Sequence, residues 1–120
     1  VEVIQVIGEL EDKRVVLVDD VIDTAGSIVQ AAEMVAQRGA REIWAYATHA
    51  VFSGDAVERL DASPIREVVV TDTIPLPPSK QRDKIRVLSI APVLAEAIRR
   101  VHGELSVSTL FDRYWEDDKK

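Results

Sequence analysis

Cysteine is absent from the 120-residue chain, which excludes disulfides, thiolate metal centres and a cysteine nucleophile. Glycine and proline number only 5 each, too few for a collagen-like repeat or a low-complexity linker. No apolar run approaches the ~18 residues of a membrane span, and the start lacks a basic-then-apolar signal. A cytoplasmic protein with no membrane partner is therefore expected. Positive charge is in deficit, 15 Lys+Arg against 21 Asp+Glu for a net −6. That balance argues against a face that grips a nucleic-acid backbone. It leaves room for a small phosphorylated ligand, which needs only a local cluster of donors.

What is present is an ordinary globular composition, 47% apolar and 30% charged, enough for one small core. The chain opens at Val1, inside an apolar pattern and without a Met, and reads as a piece of something longer. Val3-Ile4 and Val6-Ile7, closed by Gly8, suggest a strand. Arg14 to Val18 is a continuous β-branched run of the kind buried on both faces of a parallel sheet. From Ser27 the period becomes helical, with Ile28, Ala31, Ala32, Val35 and Ala36 on one side and Gly39 as the stop. Glu42–Thr48 reads as a strand with Trp44 and Tyr46 as packing residues, 54–60 as a short helix, 66–71 as a strand, and 85–90 as a last strand. Pro75, Pro77 and Pro78 mark a loop, and 91–102 is a last helix. This alternation predicts an α/β domain with a mainly parallel sheet, whose ligands gather outside the carboxyl ends of the strands.

The segment that carries chemistry is Val15-Val16-Leu17-Val18-Asp19-Asp20-Val21-Ile22-Asp23-Thr24-Ala25-Gly26-Ser27. A strand delivers Asp19 and Asp20 to its end, a loop of small residues follows, and a helix starts. Amides in such a loop can crowd around an anion, the Thr24 and Ser27 hydroxyls add donors, and the helix N-terminus favours negative charge. Gly26 is read as supplying a conformation and a closeness of approach that a Cβ would forbid. Ionised Asp19 and Asp20 accept hydrogen bonds only, which suits the vicinal hydroxyls of a ribose. Together these make a ribose 5-phosphate cradle. The alternative is a plain strand end in which Asp23 or Thr24 caps the next helix. The segment is neither a Walker loop nor a dinucleotide fingerprint, since it lacks the Gly-Lys-Ser/Thr of the one and the three glycines of the other.

The same segment resembles the phosphoribosyl-pyrophosphate (PRPP) motif of the type I phosphoribosyltransferase fold. Ala47–Gly54, Glu67–Leu76, Leu94–Arg100 and Ser106–Phe111 are similar, in order, to the ribose-phosphate diphosphokinase (PRPP synthase) family. That resemblance implies a three-layer α/β domain with a mainly parallel sheet. It implies a partial C-terminal phosphoribosyltransferase-like domain over 1–111, followed by a charged tail, 112–120. The implied reaction transfers diphosphate from ATP to ribose 5-phosphate, with Mg²⁺ carried on the substrate phosphates, in a homo-oligomer of hexamer type. By position Asp19 and Asp20 would hold the ribose hydroxyls, and Asp23, Thr24, Ala25, Gly26 and Ser27 the 5-phosphate. Ser27 stands where Thr is more usual and keeps the hydroxyl. The family's catalytic loop, ATP site and Mg²⁺-associated His and Asp precede the part matched here. No catalytic residue is therefore expected in this chain, and the isolated chain is expected to be inactive without its missing N-terminal portion. The alternatives are a non-catalytic PRPP synthase-associated regulatory subunit, and a base phosphoribosyltransferase.

The resemblance also points to His49, Ser53, Ser106 and Ser108 as a regulatory phosphate site. A solvated loop histidine and a turn after the final helix explain those residues equally well. Arg99 and Arg100 read as a solvated face or a subunit contact, and Tyr114 and Trp115 as possible anchors of a frayed tail.

Overall fold

The computed structural model describes residues 7–116, side chains of 113–116 excepted, and the chain forms two compact units, Val1–Leu88 and Ser89–Lys120. In the first, β1 (Arg14–Ile22), β2 (Glu42–Ala50), β3 (Glu67–Thr71) and β4 (Ile85–Leu88) form one sheet in that order. All pairs are parallel, with Val18 opposite Tyr46 and Asp19 opposite Ala47. Helix α1 (Gly26–Gln37) joins β1 to β2, and α2 (Ala56–Ala62) joins β2 to β3. Right-handed crossovers that step in one direction leave both helices on the same face. The α/β class and the parallel sheet are those the sequence implies.

The core lies between that face and the helices. Ile28, Ala32 and Val35, spaced along one side of α1, are buried, as are Ile43, Ala45 and Ala47 at alternate positions of β2. Alanines at 45 and 47 leave room for the helices to approach. Leu60 of α2 and Val68 of β3 are fully enclosed. Truncating a side chain such as Leu60 to alanine costs ~2–5 kcal/mol.

Several expectations need correction. β1 runs four residues past Val18, to Ile22, because pairing with β2 continues to Ala50. It is not buried on both faces: Val18 is 78% exposed. Tyr46, expected to pack, is exposed on the same open face. The short helix is displaced two residues, to Ala56–Ala62, and β4 stops at Leu88. Ile7 and Gly8 are not in a strand, and the rest of that first expected strand lies outside the described residues.

The second unit holds α3 (Ala91–His102) and α4 (Thr109–Glu116). α3 matches its predicted bounds, whereas α4 has no counterpart in the sequence reading and keeps the chain helical through residues 112–116 of the expected tail. The side chains of Tyr114 and Trp115, the expected anchors, lie outside the described residues. Between the helices the backbone turns through Gly103 and a left-handed Glu104. α3 presents Leu94, Ile98 and Val101 as exposed apolar side chains.

Candidate functional site

At the carboxyl end of β1 the chain leaves the sheet through Asp23, Thr24 and Ala25 and enters α1 at once. Ala25 is left-handed, with φ 62°, a conformation that costs a non-glycine residue about 1–2 kcal/mol. No side chain caps the helix, so the alternative in which Asp23 or Thr24 serves as a cap does not hold. The first α1 amide to find a backbone acceptor is that of Val29, on the Ala25 carbonyl at 3.1 Å. The Thr24 and Ser27 hydroxyls carry no hydrogen bond among the described residues. The sequence assigned the special conformation to Gly26, but Gly26 is the first helical residue and its φ is not left-handed. A Cβ there would meet nothing closer than 3.6 Å. What the missing Cβ leaves is space.

These groups line a cleft of about 130 Å³ with Asp19, Asp23, Thr24, Ala25, Gly26 and Ser27 in its wall. The structure thus brings six of the seven proposed ribose 5-phosphate residues together. Asp20 is not in the wall. It follows Asp19 inside a strand, and consecutive strand side chains point to opposite faces. Asp19 is partly engaged, since the Asp20 amide donates to its Oδ1 at 2.8 Å. A wider hollow of about 340 Å³ on the open sheet face also includes Asp19. Its walls are mostly apolar, Val18, Tyr46, Val69 and Leu88 among them. The cation in that wall, Arg86, is paired with Glu67 at 3.5 Å, and the Thr71 hydroxyl is spent on the Thr48 carbonyl. The smaller cleft, with its uncapped helix start, is therefore the better suited one.

Two further elements frame the cleft. The β2–α2 connection is bonded to the β1 end: the Val51 and Phe52 amides donate to the Ile22 carbonyl at 3.0 and 3.1 Å, and the Ser53 amide to the Asp23 carbonyl at 2.9 Å. Arg59 of α2 places Nη1 3.6 Å from where a Gly26 Cβ would stand, with Thr24 Oγ1 3.8 Å from the same point. Its Nε is held by Asp55 Oδ1 at 3.0 Å. No sequence signal marks Arg59, because α1 and α2 meet only through the tertiary fold.

The expected regulatory residues fall in both units. His49, in β2, has Nδ1 2.8 Å from Thr73 Oγ1, and Thr71 and Thr73 both donate to the Thr48 carbonyl. Ser53 lies in the β2–α2 connection. Ser106 and Ser108 stand before α4, their hydroxyls 2.7 Å apart. Arg100 is not on a solvated face: it donates to the Ser106 carbonyl at 2.9 Å, to Thr109 Oγ1, and to Glu96 Oε1 at 2.7 Å. Arg99 grips the same carboxylate through two nitrogens. Hydrogen bonds from Arg99 and then Arg100 lower the Glu96 pKa to about 2.

Among the described residues no three His, Asp or Glu side chains converge on a metal position, and no helix is long and apolar enough to cross a membrane.

Residues 2–112 match the family model described as the phosphoribosyl synthetase-associated domain. A ribose-phosphate pyrophosphokinase of Caldanaerobacter subterraneus subsp. tengcongensis is 60% identical over 110 residues, 92% of this chain and 35% of that protein. One from Clostridium acetobutylicum is 54% identical, over 92% of this chain and 34% of that protein. The crystal structure of phosphoribosylpyrophosphate synthetase from Mycobacterium smegmatis superposes with a TM-score of 0.79 at 41% identity, covering 82% of this chain and 33% of that one. The chain therefore spans about a third of the length of these relatives. With a parallel α/β sheet and a family model matched over residues 2–112, this chain belongs to the phosphoribosyl synthetase-associated domain family.

Proposed function

We propose that this chain is the ribose 5-phosphate-binding part of a ribose-phosphate pyrophosphokinase. In the reaction, the anomeric hydroxyl of ribose 5-phosphate attacks the β-phosphorus of ATP. The bond to the α-phosphate oxygen breaks, AMP leaves, the hydroxyl proton is lost, and PRPP is formed. The observation that carries the reading is the uncapped start of α1 sharing one cleft with Asp19. The loop amides and the Thr24 and Ser27 hydroxyls would hold the 5-phosphate, and Asp19 would accept from a ribose hydroxyl, fixing the sugar ring. Asp20, on the other side of the strand, has the smaller share. Such binding contributes through position: a sugar held at both ends presents its anomeric oxygen in a defined direction.

Mg²⁺ would neutralise charge on the transferring phosphates. With no protein-only site among the described residues, it would ride on the substrate phosphates and keep much of its water. ATP contacts, the catalytic cations and a homo-oligomeric assembly belong to the longer protein, in the cytoplasm. By the family resemblance, His49 and Ser53 of the first unit, and Ser106 and Ser108 of the second, would serve regulatory phosphate binding in that assembly.

Calorimetric titration of the chain with ribose 5-phosphate tests the reading. Saturable binding without PRPP formation on adding ATP and Mg²⁺ is expected. No binding by a folded chain overturns the site, and turnover by the pure chain overturns its role as a binding part only.

A further inference from the structure

We propose that the Arg59 guanidinium is the fixed countercharge of the phosphate in this cleft; the inference rests on the ribose 5-phosphate reading above. Among the described residues the cleft wall includes two carboxylates, Asp19 and Asp23, and no lysine or arginine. A phosphate dianion entering it meets like charge, which loop amides alone only partly offset. A cation at the rim resolves the conflict. Arg59 stands next to the wall, its Nη1 3.6 Å and Thr24 Oγ1 3.8 Å from the point that a Gly26 Cβ would occupy.

The guanidinium is aimed as well as near. Asp55 holds Nε at 3.0 Å, which restrains the fork and leaves Nη1 toward the loop. The Asp55 pair also lies one helical turn apart, the spacing at which such side chains meet. Gly26 is explained by the same geometry. Its φ is not left-handed and helices disfavour glycine, so the backbone does not require it. An oxyanion using the space next to both a hydroxyl and a guanidinium does. A planar, always-charged fork is the side chain suited to that oxyanion.

The test is titration of the wild-type chain, Arg59→Met and Arg59→Lys with ribose 5-phosphate at low and high salt, with thermal melts alongside. Arg59→Met is expected to weaken binding about tenfold, the size of one charge-assisted hydrogen bond at a half-exposed position. Arg59→Lys should recover part of that loss, and melting should change little. The ratio of wild-type to Arg59→Met affinity should shrink as salt rises, because the guanidinium is exposed to screening. Unchanged affinity in Arg59→Met overturns the role of Arg59 and leaves the cradle standing. A loss that is independent of salt makes Arg59 a support for the loop and also overturns the proposal. Absence of wild-type binding removes the cradle and this inference together.

Discussion

The chain contains two short turns rich in hydroxyls that lead into helices, and they are opposites. In the turn before α1 the donors are left open: among the described residues there is no cap and no bond on Thr24 or Ser27, and a left-handed Ala25 turns the chain sharply. In the turn before α4 the hydroxyls are largely engaged within the chain. Ser106 and Ser108 bond each other, Thr109 donates to the Ser106 carbonyl at 3.0 Å, and Arg100 closes over the turn. Similar composition thus yields one turn that is satisfied internally and one that needs a partner from outside. Thr24 and Ser27 are exposed, so their hydroxyls bond water that a ligand can displace without breaking a bond inside the chain. The closed one would have to surrender existing bonds before binding phosphate.

The largest effect should come from filling the open turn. Gly26→Ala is expected to weaken ribose 5-phosphate binding by on the order of a hundredfold, because the new methyl occupies the approach to several amides. Within the chain that methyl makes only ordinary contacts, and alanine is the better helix former by ~0.5–1 kcal/mol. Melting should therefore stay level or rise while binding collapses. If both fall together, the turn is structural and the contrast fails.

The next effect separates the two neighbouring carboxylates. Asp19→Asn is expected to cost about tenfold in affinity, the worth of one hydrogen bond to a charged group, and Asp20→Asn clearly less. Equal losses measured by the same calorimetry would mean the strand twists enough to use both.

The smallest effect probes the closed turn by pH. Glu96 has its pKa lowered from 4.5 to about 2 by Arg99 and Arg100. A lowered carboxylate pKa contributes stability above its unfolded value of 4.5 that is lost as pH falls through 2. Circular dichroism of the chain should show helix loss between about pH 4.5 and 2, beyond that of Glu96→Gln, whose own profile lacks this component. Identical profiles would mean the arginines do not hold the turn.

The strand, loop and helix around Asp19–Ser27 were legible in the sequence because the apolar period changes there and small residues fill the change. The left-handed turn was assigned to the wrong residue: glycine announces φ freedom, whereas Ala25 adopts it only because the fold around it compels the turn. Arg59 was invisible for the same reason, its neighbour Gly26 being 33 positions away in sequence and near only once α1 and α2 lie on one face. The open face of β1 was misread because Val16 and Val18 are as apolar as residues that are covered. Periodicity reports which side chains suit burial, and the covering element lies elsewhere. α4 was missed because the charge from Asp112 onward suggests a tail, although Leu110, Phe111, Tyr114 and Trp115 recur at helical spacing.

The stitching of residues 51–53 to the Ile22 and Asp23 carbonyls bears on how fast a ligand can come and go. A loop clamped from the neighbouring strand does not have to fold around its guest. Entry is then set by diffusion and the field of the −6 chain, exit by the contacts that must break. A cradle built this way would act as a mould set in advance, with the lifetime of its complex set by the off-rate.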